Sequence, residues 1–133
     1  MKGFLLDTSA FLILGLHDTD IATAARRELE TAPRFVSQIC AIEIAIKQTI
    51  GKLALPAPFL TAFAGAFERM VGEFQADMLT LEMRHIEVFS RLPLLHRDPF
   101  DRIIIAQAIA DGLTVVTRDK AFATYDGLSI LEI

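Results

Sequence analysis

The sequence has few of the features that mark a secreted, membrane-spanning or disulfide-linked protein. Its 133 residues include one cysteine, so no internal disulfide can form. It contains no uninterrupted apolar run of about 18 residues that could cross a membrane. The N-terminal segment MKGFLLDTS lacks the apolar core and cleavage site of a signal peptide. These absences predict a cytoplasmic protein with no membrane partner.

Motifs for soft metals and for nucleotides are also missing. The three histidines, His17, His85 and His96, are too scattered for a metal motif, and Cys40 has no base beside it. We therefore interpret these four residues as structural or surface residues. No glycine-rich loop suited to a nucleoside triphosphate is present. The net charge of −4 argues against a general nucleic-acid coat protein, because phosphate affinity depends on clustered lysine and arginine.

Hydrophobic residues, in contrast, are abundant, at 53% of the chain with a mean hydropathy of +0.43. Short apolar runs that predict strands alternate with helical patterns. The predicted strands are 3–7, 34–36, 76–81, 113–117 and 128–133, and the predicted helices are 10–16, 18–31, 37–50, 59–74, 82–92 and 98–111. This order predicts one α/β domain, 1–133, built as an α/β/α sandwich with a mostly parallel central sheet of four to five strands. The surplus of apolar residues predicts a homodimer or another protein partner.

A phenylalanine-rich stripe runs along the predicted helix 59–74, where large apolar residues recur at helical spacing. Such a stripe usually forms part of the core, and that is the interpretation we favour. The alternative is a groove that binds a partner.

The segment HRDPFDRIIIAQA at 96–108 places two carboxylates at the start of an apolar helix. Asp98 occupies the N-cap position, and Asp101 follows three residues later. Since Gln107 is the one polar residue in the stretch 103–110, most of the helix should be buried. We interpret Asp98 as a cap. Asp101 should face the buried side, where a carboxylate needs either helix N–H groups or a cation as its partner.

Four acidic residues are expected at one edge of the sheet. Asp7 ends the first strand, and Glu43 lies in the second turn of the helix after the second strand. Asp101 starts the helix before the strand LTVVT, and Asp119 follows that strand. Strand carboxyl ends and helix N-termini share this ligand-binding edge. Simpler interpretations remain open, with Asp7 and Asp119 as turn or cap residues and Glu43 as an exposed pair with Lys47.

Two features favour a site role for these acids. The two hydroxyl residues that follow Asp7 can themselves cap the first helix, so Asp7 is not needed there. Glu43 shares a helical stripe with Ile46 and Ile50 and should lean toward the apolar face, where an unpaired acid seeks a cation.

Clustered carboxylates repel one another, and no lysine or arginine within the motifs neutralises them all. A divalent cation can do so. With oxygen ligands and no histidine or cysteine cluster, Mg²⁺ or Mn²⁺ is favoured over Zn²⁺. Because such an ion activates a bound water and neutralises a leaving oxygen, the acids point to phosphodiester hydrolysis.

Four segments resemble the PIN domain, particularly the VapC-type toxins of type II toxin–antitoxin pairs. They are DTSAF at 7–11, VSQICAIEIAIKQTIGKLALP at 36–56, HRDPFDRIIIAQA at 96–108 and TVVTRDKAF at 114–122. Together they cover essentially the whole chain in the expected order. One departure is Ile42, where relatives often carry tryptophan, and it should alter packing rather than chemistry.

The resemblance implies an Mg²⁺- or Mn²⁺-dependent ribonuclease with a catalytic acidic quartet. The quartet residues are Asp7, Glu43, Asp101 and Asp119. Three of them, Asp7, Asp101 and Asp119, would hold the metal. Glu43 would position or deprotonate the attacking water, or bind a second ion.

The same resemblance implies supporting residues and partners. Thr8 and Thr117 would hold the carboxylates through hydroxyl hydrogen bonds. The candidate contacts to the RNA substrate are Lys47, Lys52, Arg102, Arg118 and Lys120. The implied protein partners are a second copy of the chain and a cognate antitoxin whose C-terminal segment covers the site.

Two rival functions remain at this stage. A receiver-type phosphoacceptor domain is also an α/β fold with an acidic Mg²⁺ pocket, but it needs paired acids after its first strand, where this chain has Asp7 alone. Its late lysine could only be Lys120, which lies beside Asp119. The second rival is a catalytically silent PIN fold that acts as a protein-binding module.

Overall fold

The computed structural model describes residues 2–16 and 21–133, and these contain one sheet of five parallel strands. The strands are β1 (Phe4–Leu6), β2 (Arg34–Ser37), β3 (Asp77–Leu79), β4 (Thr114–Thr117) and β5 (Ser129–Glu132). Their order across the sheet is β3-β2-β1-β4-β5, and every neighbouring pair is parallel. The predicted α/β fold is confirmed.

Helices connect the strands, as parallel pairing requires. They are α1 (Thr8–Leu16), α2 (Thr23–Leu29), α3 (Gln38–Thr49), α4 (Pro58–Thr61), α5 (Phe63–Glu73), α6 (Met83–Arg91) and α7 (Pro99–Asp111), and a 3-10 helix spans Lys120–Thr124. None of the helices in the described ranges is both long and apolar enough to cross a membrane.

Two predicted helices differ from those observed. The helix predicted at 59–74 is divided into α4 and α5, because Ala62 adopts φ −148° and ψ 65° and interrupts the helical hydrogen bonding. The helix predicted at 18–31 corresponds to α2. Its predicted start, like His17, lies outside the described residues.

The centre of the sheet is apolar on both faces. All three residues of β1 are buried, because β2 and β4 flank the strand and helices cover it. The phenylalanine stripe belongs to this core, as we expected. Phe59 and Phe67 are buried, and the Phe67 ring packs 5.2 Å from that of Phe11. Asp7 directly follows this buried central strand. It therefore lies in the middle of the sheet edge at which the carboxyl ends of the parallel strands meet, here called the carboxyl edge.

The buried face of α3 differs from the face predicted from its isoleucines. Its buried residues are Ile39, Cys40, Glu43 and Ile44, which follow one another at helical spacing. Ile46 and Ile50, predicted to share the buried face with Glu43, are 43% and 57% exposed. That part of the prediction was wrong, because the packed face continues through Cys40 and Ile44 instead.

A buried histidine joins α6 to the end of α7. His85 has no exposed surface, and its Nδ1 accepts a hydrogen bond from the Glu82 backbone N–H at 2.9 Å. The proton must then lie on Nε2, which donates to Asp111 at 2.9 Å. Arg84 donates to both oxygens of the same carboxylate and holds the pKa of Asp111 below its ordinary value. The interpretation of His85 as a structural residue agrees with this network.

We expect His85→Ala to lower the free energy of unfolding by about 2–4 kcal/mol, because it removes a helix cap, a buried hydrogen bond and a packed ring together. Urea unfolding monitored by circular dichroism measures this loss. Arg84→Ala is the matched control, since it removes only the exposed partner of the same carboxylate and should cost much less. Equal losses in the two variants would contradict a capping role for the imidazole.

Candidate active site

Asp7 is held rigidly at the junction of β1 and α1. It is 2% exposed, and its Oδ1 accepts a hydrogen bond from the Ala10 backbone N–H at 2.8 Å. Its Oδ2 accepts one from the Thr117 hydroxyl at 2.6 Å. The prediction that hydroxyl residues would replace Asp7 as the cap was wrong, because the Thr8 hydroxyl instead donates to Glu43 at 2.7 Å. Asp7 is both a helix cap and a buried carboxylate facing the site.

Glu43 is also buried, at 3% exposure, but it has a cationic partner. Its Oε2 lies 2.7 Å from the Lys47 Nζ, one helical turn further on, while Oε1 accepts the Thr8 hydroxyl. The hydrogen bond between Lys47 and Glu43 raises the pKa of Lys47 above its ordinary value. The ion pair considered from the sequence therefore forms, although its carboxylate is buried rather than exposed. Lys47 thus neutralises Glu43, one of the four acids.

The first turn of α7 brings a second pair of acids to the same edge. Asp98 accepts hydrogen bonds from the backbone N–H groups of Phe100 and Asp101, at 2.9 and 3.3 Å, which confirms it as the N-cap. Because Asp98 caps α7, the Asp101 carboxylate is not needed as a helix cap, and its side chain is 18% exposed. Asp119, after β4, caps the 3-10 helix through its Oδ1 and keeps Oδ2 for the site.

The sequence interpretation missed His96, which lies between these two acids. Its Nε2 is 2.8 Å from Asp101 Oδ2 and 3.4 Å from Asp119 Oδ2. These three residues form the one group of three or more potential metal-binding side chains found among residues 2–16 and 21–133, with ligand atoms within 4.8 Å of one another. Asp7, predicted to share a metal with Asp101 and Asp119, is not in that group. A signal was available, because His96 begins the same HRDPFD segment as Asp101 and precedes its cap by two residues.

The carboxylates interact electrostatically across the site. Burial raises the pKa of Asp7 to about 6, against the lowering effect of its hydrogen bonds from Thr117 and Ala10, and the charges of Glu43 and Asp119 raise it further. Asp7 thus lies close enough to Glu43 and Asp119 for their charges to repel one another.

Asp101 shows the same effect more strongly. Burial, followed by the charge of Asp98, raises its pKa to about 7, while the hydrogen bond with His96 opposes the rise. The charges of Glu43 and Asp7 contribute as well. Without a cation, the edge is therefore short of positive charge, and the donor set of carboxylates and one imidazole fits a divalent metal ion.

These shifts predict how stability depends on pH in the absence of metal. Asp7 and Asp101 bind protons more tightly in the folded chain than at their ordinary pKa of 3.8, so their contribution to stability is greatest at low pH. It is lost as the pH rises from about 4 through about 7. We expect the free energy of unfolding in EDTA to fall between pH 5 and pH 8, with Asp7 contributing up to about 3 kcal/mol over its full shift.

Urea titrations at the two pH values measure this dependence, and added Mg²⁺ should restore stability at pH 8. The lowered pKa of Asp111 acts below pH 4 and does not oppose the trend in this window. A free energy of unfolding that rises toward pH 8 in EDTA would contradict the prediction.

Not every residue selected from the sequence faces this site. Arg102 donates to the Leu92 carbonyl at 2.9 Å, and its guanidinium lies 4.9 Å from the centre of the Phe89 ring. It is thereby committed to packing α7 against α6. The Cys40 thiol is completely buried near the Leu6 carbonyl, and burial raises its pKa to about 12, so it is unreactive. The remaining predicted cations, Lys52, Arg118 and Lys120, are exposed.

Solved structures with the same fold include three toxin–antitoxin complexes. VapBC2 from Rickettsia felis, bound to a promoter DNA fragment, is 16% identical, with 98% of each chain covered and a TM-score of 0.71. DNA-bound VapBC from Salmonella typhimurium is 21% identical, with 99% of this chain and 98% of the other covered and a TM-score of 0.69. VapBC-5 from Mycobacterium tuberculosis is 19% identical over 100% of both chains, with a TM-score of 0.64. At these identities the likeness is one of fold.

A comparison with curated proteins returned no match. The model of the PIN domain family, in contrast, matches residues 4–128, from the first residue of β1 to the turn before β5. This range includes all four acids and His96. The chain therefore belongs to the PIN domain family.

Proposed function

We propose that this protein is a metal-dependent endoribonuclease that acts as the VapC-type toxin of a toxin–antitoxin pair. The observation that carries the proposal is the convergence of Asp7, Glu43, Asp101 and Asp119 on the carboxyl edge of a PIN fold, where their charges interact. Clustered acids that raise one another's pKa are costly to keep, even with Glu43 paired to Lys47, and such groups concentrate at functional sites.

Asp101 and Asp119 would hold Mg²⁺ or Mn²⁺, with Asp7 beside them. When bound, the ion would lower the pKa of a water molecule and neutralise the leaving oxygen of the phosphodiester. The chain itself fixes the carboxylates. Thr117 and the Ala10 N–H orient Asp7, while Thr8 orients Glu43, so these acids keep their positions before any substrate arrives. Glu43 would then orient or deprotonate the attacking water.

Exposed cations would contact RNA phosphates. Lys52, Arg118 and Lys120 are exposed and suit this role. Lys47 would serve mainly as the partner of Glu43, and Arg102 would act by packing α7 rather than by touching RNA.

The protein partners follow from the same proposal. The structural neighbours named above are VapBC complexes, which supports a cognate antitoxin. The exposed isoleucines of α3 offer apolar surface for a protein contact, in a homodimer or with the antitoxin. The cytoplasm is the expected location.

The receiver-type alternative has no support, because residues 4–128 match the PIN domain. The silent PIN fold is separated from the nuclease by one experiment. Purified protein, free of any partner, is incubated with mixed-sequence RNA in Mg²⁺ or in EDTA, beside an identically purified Asp7→Asn preparation. Cleavage by the wild type in Mg²⁺ alone supports the nuclease. Intact RNA in all samples, or equal cleavage by the variant, contradicts it.

A further inference from the structure

The position of His96 carries an inference that rests on the proposed metal site and defines it further. We propose that His96 is a metal ligand, and that its Nε2 joins Asp101 and Asp119 in a site with one nitrogen and two carboxylates that prefers Mn²⁺ to Mg²⁺. The sequence alone predicted a site of oxygen ligands only.

The distances suit shared coordination. The Nε2 atom lies 2.8 Å from Asp101 Oδ2 and 3.4 Å from Asp119 Oδ2. Adjacent ligands around an octahedral ion with bonds of about 2.1 Å are about 3 Å apart. Two side chains from the segment 96–101 and one from the residue after β4 and Arg118 thus already present one donor atom each at ligand spacing.

Phe122 and Tyr125 hold His96 in place. The Phe122 ring packs edge-on against it, with the ring centres 5.7 Å apart, and Phe122 is fully buried. The hydroxyl of buried Tyr125 accepts the backbone N–H groups of Leu95 and His96, at 3.2 and 2.9 Å. Such support fixes a ligand before the metal binds, so little ordering is required on binding.

Comparison with the other described histidine separates a ligand from a structural residue. His85 has no exposed surface, and both of its ring nitrogens are engaged in joining helices. The His96 side chain is 19% exposed, and its Nε2 faces two carboxylates that an ion from solvent can reach. Metal binding displaces the proton of the hydrogen bond between Nε2 and Asp101 Oδ2. The neutral imidazole then carries its proton on Nδ1 and directs the Nε2 lone pair at the ion.

One nitrogen donor changes which ion is preferred. Mg²⁺ takes oxygen ligands almost exclusively, while Mn²⁺ accepts imidazole and binds a given mixed site more tightly than Mg²⁺. His96→Gln removes the imidazole but keeps a polar side chain. We expect it to weaken Mn²⁺ binding by about tenfold or more, while Mg²⁺ binding changes by less than about threefold.

The test is pulsed electron paramagnetic resonance of Mn²⁺ bound to the full chain, with affinities measured by calorimetry on the same samples. The wild type should show the nitrogen coupling of a directly bound imidazole, and His96→Gln should lose it. His85→Gln is the matched control and should keep it, because both His85 ring nitrogens are engaged by Glu82 and Asp111. Thermal unfolding in EDTA checks that each variant is folded.

Failure of this inference is distinct from failure of the proposed function. Mn²⁺ bound without nitrogen coupling, or coupling that persists in His96→Gln, overturns the role of His96 while leaving the nuclease intact. A wild-type protein that binds no Mn²⁺ and cuts no RNA overturns both.

Discussion

Asp7→Asn is expected to reduce metal-dependent RNA cleavage by at least about 1000-fold and, at the same time, to make the metal-free protein more stable at pH 8. The activity is lost because the amide removes a negative charge from the cation site. The stability rises because burial disfavours the Asp7 carboxylate, whose pKa is about 6. Asparagine retains an oxygen for the Ala10 N–H, so the cap at the start of α1 is kept.

The two effects are measured separately. Single-turnover cleavage in Mn²⁺ gives the loss of rate, and urea unfolding in EDTA gives a gain of about 1–3 kcal/mol at pH 8 that shrinks toward pH 5. Asp77→Asn is the matched control. Asp77 is an exposed acid at the first position of β3, the end opposite the carboxyl edge, so its substitution should change neither quantity.

A destabilised Asp7→Asn protein would show that the carboxylate is there for the fold, as an ordinary cap. A stabilised but fully active variant would show that Asp7 is dispensable for catalysis. The proposal requires both the loss of cleavage and the gain in the free energy of unfolding. A site that binds a cation must keep carboxylates ionised in a place where their charge destabilises the metal-free fold.

The fold could be predicted from sequence because its signals are local. The strand β4 is an uninterrupted β-branched and apolar run, and α7 is bounded by Asp98 and by Gly112, whose φ of 68° suits glycine. Alternation of such elements fixes a parallel sheet, and parallel strands place Asp7 and Asp119 at one edge. For these residues, knowing the element was enough to know the position.

The parts that escaped prediction depend on rotation and loop path rather than on element type. Whether Ile46 shares the buried face with Glu43 depends on how α3 is turned against the sheet, and the sequence pattern allowed a rotation that packing did not adopt. His96 lies in the segment before α7, whose path is set by the Tyr125 hydroxyl some 29 residues later. No periodicity encodes such a contact, so His96 was interpreted as a structural or surface residue although its imidazole lies between two acids of the site.

Glu43→Gln is expected to lower the rate of the chemical step by about 100- to 1000-fold without weakening metal or RNA binding by more than about threefold. Glutamine has nearly the same shape, and its amide oxygen can still accept the Thr8 hydroxyl that Glu43 accepts at 2.7 Å. What is lost is the charged oxygen now paired with Lys47. A loss confined to the rate would therefore assign Glu43 to the attacking water.

Lys47→Met is the matched variant, because it keeps the aliphatic stem and removes the cation from the same ion pair. If Lys47 serves Glu43 rather than RNA, the substitution should alter the pH dependence of the rate and leave the KM for RNA unchanged. A rise in KM alone would instead return Lys47 to the set of phosphate contacts predicted from the sequence. The Mn²⁺ stoichiometry of Glu43→Gln decides the remaining alternative, since a fall from two ions to one would make Glu43 a ligand of a second ion and contradict its role toward water.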